Sequence, residues 1–105
     1  MKEQKNLFEM LKQGVTPFGC VKESLRRLID AGFEEISYSE EWKLKKGGKY
    51  VMNHHDTALF AFTIGENYQT NDMLRMAAAH TDYPCFRIKP NADFQTDAYA
   101  QVNVE

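Results

Sequence analysis

The sequence predicts an α/β fold, α+β when the segment stands by itself, with N-terminal helices packed on a mixed β-sheet. Three observations carry this. Two segments of helical period fill the first third of the chain. Short apolar and aromatic runs, punctuated by Gly and Pro, follow from residue 35 onward. The last segment alternates apolar and polar side chains one by one, the pattern of a two-faced strand.

Residues 3–13 predict a first helix with Leu7, Phe8 and Leu11 on one face, interrupted by Gly14, Thr16 and Pro17. Thr16-Pro17 is a start signal, a hydroxyl at the cap and a proline in the first turn. Phe18, Val21, Leu25, Leu28 and Ile29 then recur at helical spacing, and Gly32 should stop the helix in a left-handed conformation. Residues 35–38 are expected to form a short strand. Trp42 to Tyr50 reads as strand, Gly47-Gly48 turn, strand. Residues 57–64 read as a buried strand stopped by Gly65, with Tyr50, Phe60 and Phe62 in the core, and 66–72 as a polar loop. Residues 73–80 read as a second apolar strand, with helix as a rival because alanine and methionine favour it. Phe86 to Ile88 lies cut off between Pro84 and Pro90, residues 91–96 read as loop, and Ala98, Ala100, Val102 and Val104 alternate with polar neighbours to the last residue. That strand is expected to be incomplete at Glu105.

Composition narrows the function. With 105 residues the chain is one domain or part of one. Against 15 Asp and Glu stand 13 Lys and Arg, a net charge of -2, so no basic excess points to nucleic acid or a membrane surface. No apolar run approaches the roughly 18 residues of a spanning helix, and the N-terminus carries no apolar leader core. Cys20 and Cys85 lie far apart and form no CxxC pair, which suits a reducing compartment; the cytoplasm is expected. The Lys-rich 43–49 stretch and Glu34, Glu35, Glu40 and Glu41 read as solvated. Gly47-Gly48 has neither phosphate-loop spacing.

Chemistry is expected at Ala79-His80-Thr81-Asp82-Tyr83-Pro84. Residues two apart on a strand face the same way, so His80 and Asp82 project together. A carboxylate can then hold one imidazole nitrogen while the other binds a metal, fixing tautomer and ring orientation. The alternative is a histidine and an aspartate closing a turn before Pro84. His54-His55 are neighbours whose side chains on a strand would point to opposite faces, so a polar turn is the better reading. Cys85, with no base nearby in sequence, reads as a buried, inert thiol.

These residues sit in a wider resemblance. Thr16-Pro17-Phe18, Ala31-Gly32-Phe33, Trp42-x-Leu44, Gly47-Gly48-Lys49-Tyr50, Leu59 through Gly65 and Ala79 through Pro90 occur in order and at the right spacing. Together they resemble the N-terminal part of the aspartyl-aminopeptidase family of dinuclear zinc aminopeptidases. The resemblance implies that 1–105 is an N-terminal segment of an α/β/α zinc-peptidase catalytic domain. It implies His80 as a ligand to one of two zinc ions, with Asp82 as the carboxylate orienting it. It implies a peptide substrate that loses its N-terminal residue, often an acidic one, and an oligomer when the enzyme is intact. A bridging Asp, a general-base Glu and further ligands would come from the remainder of the peptidase domain. The family has Ser where Tyr83 stands and Arg-Asn where His54-His55 stand, which leaves the acidic preference open. With one ligand present, the chain alone is expected neither to bind zinc tightly nor to hydrolyse peptides. The alternative is a free-standing α+β module that uses the same fold for binding or assembly without catalysis.

Overall fold

A computed structural model describes residues 1–105. Helix α1 spans Lys2–Gln13 and helix α2 spans Pro17–Asp30. Strands follow at Glu34–Glu35 (β1), Lys49–His54 (β2), Ala58–Thr63 (β3), Ile88–Thr96 (β4) and Tyr99–Val104 (β5). β1 runs parallel to β2 and β2 antiparallel to β3, giving a mixed three-stranded sheet in the order β1-β2-β3. α1 packs on α2, and α2 lies on β2 and β3. Two helices on a mixed sheet is the architecture the sequence predicts. β4 and β5 form a separate two-stranded hairpin.

The helix signals act as expected. Thr16 Oγ1 accepts the Gly19 backbone N–H at 3.1 Å, supplying one of the bonds that a helix start lacks. Gly32 has φ +91°, and the Phe33 amide reaches back to the Leu28 carbonyl at 3.0 Å, closing the C-terminus. At α2, Val21 is buried with Leu25 and Leu28 half-buried, so this face meets the sheet. On α1 the predicted face forms, yet Leu7, Phe8 and Leu11 remain exposed.

The helices are joined by charge as well as by apolar contact. Arg27 Nη2 donates to the Asn6 carbonyl at 2.9 Å, tying α2 to α1. Glu23 receives Arg26 at 2.7 Å and Arg27 at 2.8 Å. Hydrogen bonds from Arg26 and then Arg27 hold the Glu23 carboxyl at about 2, down from an ordinary 4.5. Its folded value lies below its unfolded one, so the ionised form favours folding. The contribution is full above about 4.5 and is lost as pH falls to about 2. In an acid titration followed by far-ultraviolet circular dichroism, Glu23→Gln is expected to flatten the loss of helix across that window. An unchanged acid limb in Glu23→Gln removes Glu23 from this role.

The core is small. Val21, Tyr50, Val51, Met52 and Ala92 are the buried residues, and three of them are consecutive in β2. The buried strand is therefore β2. β3 forms where residues 57–64 predict it, but Phe60 is 56% exposed and Phe62 half-buried, so of the three aromatics expected in the core only Tyr50 is buried. Tyr50 folds back over Gly48: a Cβ there would lie 2.6 Å from the ring's Cε2 and Cζ, and the Tyr50 hydroxyl accepts the Lys45 amide at 2.8 Å. The radius of gyration, 19.6 Å, well exceeds the roughly 13 Å of a compact domain of this length.

Four expectations fail locally. Residues 42–46 are not a strand; at Lys45 the backbone is satisfied locally, its amide donating to the Tyr50 hydroxyl at 2.8 Å and its carbonyl accepting the Gly48 amide at 3.0 Å. The Gly47-Gly48 turn instead pairs with Ile64, extending the β2–β3 ladder. The first strand, expected at 35–38, forms only at Glu34–Glu35, so Glu35 alone of the expected residues is in it, with the Ile36 amide adding one bond to the Val51 carbonyl. Residues 73–80 are neither strand nor helix. No strand of either sheet lies beside them to supply ladder hydrogen bonds, and Met73 is 93% exposed. Residues 91–96, expected as loop, complete β4. The alternating β5 recruits them across a turn at Asp97, φ +52°, while a register shift between Ile88 and Asp93 absorbs Pro90.

Candidate metal corner

His80 and Asp82 come together although the strand expected to carry them does not form. An extended chain places residues two apart on one side whether or not a ladder exists. His80 Nδ1 lies 2.7 Å from Asp82 Oδ1 and 3.1 Å from the Asp82 backbone oxygen. Both neighbours are acceptors, so Nδ1 carries a proton and donates it; in the neutral ring the lone pair is then on Nε2. The two side chains are 80% and 77% exposed, leaving that nitrogen open to solvent. A neutral imidazole, oriented by a carboxylate and presenting one free nitrogen, is the donor chemistry a zinc ligand requires.

Thr81 faces the other way. Its hydroxyl donates to the Thr57 carbonyl at 2.8 Å, tying this segment to the turn between β2 and β3. Across residues 65–91, Thr81 alone is not exposed. The sequence signal for it is its place between His80 and Asp82, where alternation turns the middle side chain inward.

The other candidates are arranged differently. His54 ends β2 and His55 begins the turn with φ +53°. The left-handed step breaks strand alternation, so the two rings lie edge to face, 4.3 Å between centroids, instead of on opposite faces. His55 lies in the polar turn the sequence predicts, and His54 is the last strand residue before it. Tyr38 Oη and His54 Nδ1 are 2.8 Å apart. Cys85 is exposed, not buried as expected, because no element covers residues 82–90, while Cys20 is half-buried. No three His, Cys, Asp or Glu side chains are close enough to hold one metal ion together.

Comparison with known proteins adds three findings. A family model described as aminopeptidase I zinc metalloprotease (M18) matches residues 10–105. The probable M18 family aminopeptidase 2 of Clostridium acetobutylicum is 36% identical over 102 residues, covering 96% of this chain and 24% of that protein. Its counterpart in Pseudomonas fluorescens is 34% identical, covering 100% and 25%. The chain thus spans about a quarter of the length of the curated relatives it matches. Among solved structures, Chaetomium thermophilum mApe1 superposes with a TM-score of 0.84 at 32% identity, over 96% of this chain and 23% of that one. A chain of the Ape4 and Nbr1 complex gives 0.85 at 26% identity, over 95% and 19%.

Proposed function

Since the chain belongs to the aminopeptidase I zinc metalloprotease (M18) family, we propose that residues 1–105 are the N-terminal segment of the catalytic domain of a dinuclear zinc aminopeptidase. The observation that carries this reading is the 2.7 Å bond from His80 Nδ1 to Asp82 Oδ1, which leaves Nε2 free as a donor. In it, His80 ligates one of two zinc ions and Asp82 orients the imidazole. Zinc, when bound, polarises the scissile carbonyl and supplies an activated water. His80 and Asp82 themselves take no proton from substrate; they hold the ion in place. The substrate is a peptide that loses its N-terminal residue, with acidic residues one candidate class, and the enzyme is a cytoplasmic homo-oligomer.

A catalytic zinc takes about three protein ligands plus water. Residues 1–105 contribute one, so this segment alone is proposed to bind zinc weakly and to hydrolyse nothing. The test compares the full-length protein with residues 1–105 in zinc titration and in peptide turnover across substrates differing only in the N-terminal residue. The full-length protein should hold two zinc ions per chain and release N-terminal residues. The 105-residue chain should do neither. Turnover by residues 1–105, or a full-length protein that binds no zinc, overturns the reading.

A further inference from the structure

The His80-Thr81-Asp82 segment lies within a long exposed stretch without strand partners, yet a metal ligand must be held in place. The hold comes from the β2–β3 turn. His55 and Asp56 both take left-handed backbone, φ +53° and +60°, which side chains other than Gly adopt at a cost. Asn53 braces Asp56 with two hydrogen bonds. Its Nδ2 donates to Asp56 Oδ1 at 2.7 Å, and its Oδ1 accepts the Asp56 amide at 2.9 Å. The Thr57 amide closes the turn on the His54 carbonyl at 3.3 Å. The braced turn presents the Thr57 carbonyl, and Thr81 Oγ1 donates to it at 2.8 Å.

We infer that Thr81 is a positioning residue for the metal corner, its hydroxyl docking the His80–Asp82 pair on the Asn53-braced turn so that His80 Nε2 is held in one place. The two outward side chains carry the chemistry and the inward one fixes their origin. The hydroxyl makes the only side-chain hydrogen bond from residues 73–91 to the β2–β3 hairpin, at its turn. This rests on His80 being a metal ligand.

The test uses the full-length enzyme. Thr81→Val keeps the shape and removes the hydroxyl. It is expected to weaken zinc about 10-fold, the low end for groups that support a metal ligand, in competition with a chelator of known affinity. It should lower kcat with KM unchanged, and alter the visible spectrum of the cobalt-substituted enzyme. Thr81→Ser, which keeps the hydroxyl, should restore all three readouts. His80→Ala in the same assays separates the two ideas. If His80→Ala loses zinc while Thr81→Val matches wild type, or if Thr81→Ser fails as badly as Thr81→Val, the positioning role is overturned and the ligand reading stands. If His80→Ala retains zinc, both fall. Should Thr81→Val not fold, Asn53→Ala, which loosens the turn without touching residues 80–82, must show the same loss of zinc affinity, and wild-type affinity there overturns the inference.

Discussion

His80→Ala in the full-length enzyme is expected to remove most zinc from one site and to lower kcat/KM on the order of 10³-fold. The size follows from what the ion supplies. Metal stabilisation of charge in the transition state is worth several kcal/mol, and each 1.36 kcal/mol is tenfold in rate. Losing one of about three protein ligands leaves the ion poorly held and poorly oriented. The substitution itself should cost the metal-free protein little, because within residues 1–105 the His80 side chain is 80% exposed and its one side-chain partner is the similarly exposed Asp82. Surface substitutions of this kind stay within about 0.5 kcal/mol. A thermal melt matching metal-free wild type, together with low zinc content and lost turnover, is the expected pattern, since losing zinc also removes the stability its binding adds. A folded His80→Ala enzyme with full zinc and full activity would falsify the assignment.

Asp82→Asn is expected to lower zinc affinity or rate by about 10–100-fold, less than the loss at His80. The amide oxygen can still accept from Nδ1, but the negative charge that strengthens the imidazole as a donor is gone, and a flipped amide would set two N–H donors against each other. The pair is exposed within residues 1–105, so its own contribution to stability is small and a melt of the metal-free protein should move little. Zinc competition and steady-state kinetics on the same preparation measure the two effects. A loss at Asp82 equal to that at His80 would make Asp82 a metal ligand in its own right and overturn its orienting role.

Much of this site is legible in order along the chain. The His80–Asp82 pairing needs only an extended backbone, and it persists where the expected strand does not. Thr16 and Gly32 act through side-chain and φ requirements that involve a few neighbouring residues, and both ends of α2 fall where they set them. The errors cluster where a long-range partner decides. Residues 73–80 have the apolar content of a strand, but a strand exists only through a neighbour's backbone groups. Residues 91–96 have the composition of a loop, yet β5 pairs with them. His54 and His55 would diverge on a strand, but the left-handed residue of the turn cancels that alternation.

The sequence by itself determined the two helices, the strand β3, the last strand and the same-side placement of His80 and Asp82, because each depends on local periodicity or on a cap a few residues away. The tertiary structure alone decided that β2 and not β3 is the buried strand, that Thr81 docks on the carbonyl of Thr57, 24 residues earlier, and that residues 73–80 stay unpaired. Those outcomes depend on which distant groups meet, and hydrogen bonding and burial between distant segments leave no periodic trace in either segment.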